Sequence, residues 1–108
     1  MNIALMSHDN KKELMVQFCT AYAGILSQHH IYATNAYNEI DLVLLFTDPN
    51  TTEPWDDAQM IETIRHCDKH NVPIATNLAT AEMLIMGLQR GDLDWRDIVN
   101  PKTKPFTT

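Results

Sequence analysis

Apolar residues in this chain fall into two alternating rhythms. Short unbroken runs stop at polar residues, and longer stretches follow in which apolar positions recur every three or four residues. The first run, Asn2-Ile3-Ala4-Leu5-Met6, empties into Ser7-His8-Asp9-Asn10-Lys11-Lys12. It predicts a buried strand over 2–6. A helix over 10–28 follows, with Leu14, Phe18, Tyr22 and Ile25 as its stripe and Met15, Cys19 and Leu26 beside them. Residues 30–34 read as a short second strand, and 35–39 as a polar turn. Ile40-Asp41-Leu42-Val43-Leu44-Leu45-Phe46 is apolar almost throughout, as expected of a strand covered on both faces. Thr47-Asp48-Pro49 ends it. A helix over 56–70 buries Met60, Ile61, Ile64 and Cys67 and turns Arg65, Asp68 and Lys69 outward. A strand follows over 72–76, with Pro73 fitting an edge or a first-residue position. The last helix spans 79–90 on Ala81, Leu84, Ile85 and Leu88, with Asn77 or Thr80 as its cap and Gly91 as its stop. Residues 92–99 form a turn around Trp95, and the tail 100–108 has little to bury.

Strands alternating with helices predict an α/β fold with a mostly parallel, doubly covered sheet of about four strands. One connection resists that topology. Residues 35–40 reach only ~20 Å when extended, whereas a strand is itself about 17–20 Å long. If the first strand lies between the two, the path also shifts sideways by ~9.6 Å. Parallel crossovers normally take a dozen residues or more. The expectation is therefore a mixed sheet, with 30–34 and 40–46 as an antiparallel hairpin, or a segment-swapped assembly.

Composition narrows the picture. A chain of 108 residues is one domain, taken here as 1–99. With 14 acidic and 8 basic residues the net charge is −6, which argues against nucleic acid as partner. No apolar run can span a bilayer, and the amino terminus lacks a basic-then-apolar signal, so the chain reads as cytoplasmic. Cys19 and Cys67 lie on helix stripes and are expected as reduced, buried thiols.

The candidate chemistry gathers at the first strand's end. In open α/β sheets ligands bind where strands end and helices begin. His8, Asp9 and Lys12 stand there, and one lysine at a helix start can hold a small anion even in an acidic protein. Asp48 before Pro49 can instead simply cap the loop or the next helix. His66 and His70 stand one helical turn apart, a spacing compatible with metal. Cys67 faces inward, however, and no further ligand is apparent, so no metal is assigned. His29-His30 suits a helix end. Trp55 is expected to cover a pocket mouth or a neighbouring subunit. Asp92, Asp94 and Asp97 form a solvated turn rather than a calcium loop.

Five segments carry a resemblance. They are Ile3-Ala4-Leu5-Met6-Ser7-His8-Asp9-Asn10-Lys11-Lys12, Tyr32-Ala33-Thr34, Asp41 through Pro49, Val72-Pro73-Ile74-Ala75-Thr76-Asn77 and Thr80-Ala81-Glu82. In order and wording they resemble methylglyoxal synthases. The resemblance implies a flavodoxin-like α/β fold, a homo-oligomer, and conversion of dihydroxyacetone phosphate to methylglyoxal and phosphate without metal or organic cofactor. It makes His8, Lys12 and Thr34 substrate-binding residues, places Asp9 beside them, and makes Asp48 an active-site aspartate. The chain departs from the pattern after Thr34. The family's Gly-Thr-Thr-Gly phosphate loop is replaced by Asn35-Ala36-Tyr37-Asn38, and the Gly-Pro-Leu-Gly-Gly-Asp loop that carries the catalytic base has no counterpart. Trp55 stands where the family places a second active-site histidine.

The reaction removes a proton next to a carbonyl and then expels phosphate, so it needs a base, an oxyanion donor and a phosphate cradle. With the base loop absent, Asp9, Asp48, Asp56 or Asp57 could substitute only through a changed geometry. The expectation is a methylglyoxal synthase relative whose lyase activity is lost or very weak. It would keep a place for inorganic phosphate or a small phosphorylated metabolite. The alternative is a non-catalytic ligand-binding, assembly or engineered scaffold domain of the same fold.

Overall fold

The computed structural model describes residues 1–32, 40–50 and 54–96, with 54–57 as backbone only. The polar turn 35–39, Thr34, the side chains of Trp55, Asp56 and Asp57, Asp97 and the tail 100–108 lie outside the described residues.

Strand β1 (Asn2–Ser7) leads through one 3-10 turn (Asp9–Lys11) into α1 (Lys12–Ala21) and a short α2 (Ala23–Leu26). Strand β2 (His30–Tyr32), strand β3 (Leu42–Phe46), helix α3 (Pro54–His70), strand β4 (Ile74–Ala75) and helix α4 (Leu78–Arg90) follow. The predicted helix 10–28 is thus two helices. Tyr22 breaks it with φ −111° and ψ 24°, and Gly24, a poor helix former, follows in the second piece.

The sheet order is β2-β1-β3-β4, and every pairing is parallel. The antiparallel hairpin expected from the short connection is not formed. β2 and β3 both pair with β1, through Ile3↔Ile31 on one side and Ile3↔Leu42 on the other. β3 starts at Leu42 rather than Ile40, and Tyr32 is the last described residue of β2. Tyr32 is level with Ala4 of β1 and Leu42 with Ile3, so the chain steps back only about one residue and ~9.6 Å sideways, well within the ~30 Å that nine residues can reach.

Alternation along β3 builds both halves of the core. Leu42, Leu44 and Phe46 face Met15, Phe18 and Leu26 of α1 and α2, and Ala81, Ile85 and Leu88 of α4. Val43 and Leu45 face Cys67 and Met60 of α3. Ile61, expected on the inner face of α3, is instead exposed; Thr63 takes a buried place there, its hydroxyl donating to the Gln59 carbonyl at 2.9 Å. The result is three layers, helices on both sides of a parallel sheet. β3 is buried at every position, which is why it reads as an unbroken apolar run. β4 is the edge strand, and Pro73 immediately precedes it. Asn77 caps α4 by accepting the Thr80 N–H at 3.0 Å, and Gly91 ends the helix at φ +84°.

A buried ion pair sits inside this frame. Asp41, just before β3, is fully buried and accepts the Asn2 N–H at 2.8 Å. Arg96 approaches it with Nε 3.4 Å from Oδ1 and also donates to the Asn71 carbonyl. The clasp joins the turn after α4 to the start of β3 and to the corner between α3 and β4, where Asn71 takes a left-handed conformation at φ 55°.

Candidate active site at the sheet switch point

Chain order reverses between β1 and β3. β1 continues outward to β2, and the chain then returns to the other side of β1. In open parallel sheets the crevice beyond the strand ends at such a reversal is where ligands bind. His8 follows β1 and Asp48 lies two residues past β3, so both stand at this point.

They are joined. The Asp48 backbone N–H donates to His8 Nδ1 at 2.8 Å, and the His8 N–H donates to the Phe46 carbonyl at 3.0 Å. Both side chains are buried. Because Nδ1 accepts, the hydrogen of the neutral imidazole sits on Nε2, making that nitrogen a fixed donor. A positioned neutral imidazole can polarise a carbonyl oxygen.

The Asp48 carboxylate is committed elsewhere. Oδ1 accepts the Asn50 N–H at 2.9 Å, closing an Asx turn, and Oδ2 accepts from Asn10 Nδ2 at 2.6 Å. The Asn50 N–H, then the Asn10 amide, hold its carboxyl below the usual carboxylate value. Burial opposes them, and the Lys11 charge adds a smaller downward pull. Lys12 and Asp9 pair at 3.1 Å on the exposed first turn. Such surface pairs are worth about 0–1 kcal/mol, so an anion competes for Lys12 at little cost.

The structure therefore brings His8, Asp48, Asp9 and Lys12 to one end of the sheet, at the start of α1 and the end of β3. Thr34 falls outside the described residues. Asn10 is the site residue that the sequence reading missed. Nothing in its spacing marks it, since its role depends on a partner 38 residues away. Asp92 and Asp94 lie in the turn after α4, where Asp92 pairs with Arg90 at 2.8 Å. Cys19 and Cys67 are both free thiols. Cys19 is half-buried rather than buried. Burial pushes the Cys67 thiol up to about 11, with Asp68 adding and Arg96 opposing. That makes it a core residue and a poor nucleophile. Among the described residues no helix is long and apolar enough to cross a membrane, and no group of three or more metal-ligating side chains occurs.

Fold and site together first define a class: a three-layer α/β protein of flavodoxin-like order, with its polar cluster at the switch point. No family model matches the chain. Individual relatives do. A methylglyoxal synthase of Caldicellulosiruptor saccharolyticus is 46% identical over 134 aligned positions, covering 94% of this chain and 94% of the relative. A methylglyoxal synthase of Geobacillus thermodenitrificans is 40% identical over 136 positions, covering 96% and 94%. The crystal structure of methylglyoxal synthase from Elizabethkingia anophelis superimposes with a TM-score of 0.67 over 96% of this chain and 93% of that one, at 20% identity, and shows the same fold. The chain belongs to the methylglyoxal synthase family. Both alignments are longer than the 108 residues of this chain, so each relative carries interior positions with no counterpart here.

Proposed function

We propose that this chain keeps the family's place for a phosphorylated small molecule, or inorganic phosphate, but has lost turnover of dihydroxyacetone phosphate. Its three glycines are Gly24, Gly87 and Gly91. The Gly-Gly-Asp loop that carries the base in the family pattern therefore has no match, and this observation carries the reading. The interior positions present only in the relatives are assigned here to the segment after Thr34.

The remaining carboxylates support the same view. A base that removes a proton beside a carbonyl works best with its pKa raised toward the working pH. Asp48 is shifted the other way by two hydrogen bonds, and Asp9 is exposed and paired with Lys12. What remains useful is the binding half. Lys12 supplies charge at the start of α1, His8 offers a fixed Nε2 donor, and Thr34 completes the contact in this reading. A single domain over 1–99, self-association and a cytoplasmic setting belong to the same proposal.

Two assays test it. Methylglyoxal formation from dihydroxyacetone phosphate is expected to be at background, and a rate near that of one of its relatives refutes the loss of turnover. Phosphate is expected to raise the melting temperature, because it binds the native state alone, and Lys12→Ala is expected to abolish the rise. No rise with the native chain refutes the retained binding place.

A further inference from the structure

The last turns of α3 carry a feature that the switch-point site does not use. His66 and His70 stand at positions i and i+4, where side chains share one helix face. Their ring centres are 4.4 Å apart, and the planes are inclined by 44°. His66 is half-buried and His70 is exposed at the helix end.

We propose that His66 and His70 form a two-imidazole clamp for one divalent transition ion of the nickel or copper type. The distance supports this. An imidazole nitrogen lies about 1.2 Å from its ring centre and a metal–nitrogen bond is ~2.0–2.1 Å, which puts each ring centre roughly 3.2 Å from the ion. Two rings at a right angle then have centres about 4.5 Å apart, whereas the tetrahedral angle of zinc needs about 5.2 Å. The observed 4.4 Å is near the spacing of the right-angled pair, and imidazole sites favour nickel and copper by the general order of divalent affinities. Water fills the other positions, so the lack of a third protein ligand is no obstacle.

Two further features favour a cation here. The rings already lie side by side, so little side-chain freedom is lost on closing the clamp. The pair also sits at the carboxyl end of a 17-residue helix, where the helix dipole favours positive charge. Charged neighbours on α3 are of both signs, with Glu62 and Asp68 against Arg65 and Lys69. The two nitrogens, rather than the local field, carry the binding.

The test is calorimetric titration of the full chain with Ni2+ in a non-chelating buffer, with Mg2+ as the oxygen-preferring control. The expected result is saturable binding of one Ni2+ per chain and none of Mg2+. His66→Gln and His70→Gln are each expected to lose it, and circular dichroism checks that both remain folded. Because His70 is exposed, its variant alone is decisive if His66→Gln misfolds. A competing pair of nitrogens exists where the Met1 amino group lies 3.0 Å from His29 Nδ1. His29→Gln is therefore made in parallel and is expected to bind as the native chain does. Absence of saturable Ni2+ binding overturns the proposal, as does native-like binding by His70→Gln. Loss in His29→Gln with retention in the clamp variants moves the ion to the amino terminus and overturns it equally. The clamp and the phosphate site are far apart in sequence and use different residues, so either can fail alone.

Discussion

Replacing Arg96 by methionine removes one half of a buried ion pair, and its cost can be worked from the contacts. Arg96 is 2% exposed and Asp41 is 0% exposed. The substitution keeps most of the aliphatic stem but leaves the Asp41 charge inside without its guanidinium. It also removes the donor that holds the Asn71 carbonyl at the α3–β4 corner. Breaking a buried pair from one side costs about 3–5 kcal/mol. The Nε–Oδ1 separation of 3.4 Å is long for a strong bond, which favours the lower part of that range. A domain of this size has roughly 5–15 kcal/mol in total, so about a fifth or more of its stability is at stake. At roughly 4–8 °C per kcal/mol, the melting temperature should fall by about 12–40 °C. Thermal melts of R96M, D41N and the double variant make the assay. The amide introduced by D41N still presents an oxygen to the Asn2 N–H, and the double variant buries no charge. The double variant is expected to be more stable than R96M alone, because removing both members of a buried pair is far cheaper than removing one. An R96M melt within a few degrees of the native chain refutes the reasoning. So does a double variant as unstable as the two single losses added together.

Three further outcomes are expected. Asp48 has its carboxyl held below the ordinary value, so its contribution to stability is present above that value and is lost as pH falls through the lowered one. Asp48→Asn should therefore flatten the decline in melting temperature as pH falls below the ordinary carboxylate range, and an unchanged decline contradicts the Asn50 and Asn10 hydrogen bonds. Gly91→Ala places a Cβ at φ +84° and 3.0 Å from Asp94 Oδ2, so urea unfolding should show a loss of about 1 kcal/mol or more. A thiol reagent should label Cys19 in the native protein and Cys67 only on unfolding, since Cys67 is 1% exposed; equal rates for the two would count against the packing of α3.

Several parts of this protein were determined locally and could be read from the chain. The unbroken apolar run of β3 announced a strand covered on both faces, because only such a strand leaves no position facing water. Asn77 and Gly91 marked both ends of α4, because caps act on backbone groups within one turn. His8, Asp9 and Lys12 were placed at a strand-to-helix junction by pattern alone. The tertiary structure decided the rest. Strand order and the parallel pairing of β2 and β3 with β1 depend on which edges meet, and hydrophobic spacing along one strand carries no record of its neighbour. Asn10 meets Asp48 across 38 residues, His8 meets the Asp48 N–H across 40, and Arg96 meets Asp41 across 55. Asp41 interrupts a run of Ile, Leu and Val, and nothing along that run names the partner that a buried charge requires. The physical reason is the same in each case. Helix and strand tendencies and caps are set by nearby atoms, whereas a buried polar contact is chosen only when folding brings distant segments to the same few ångströms.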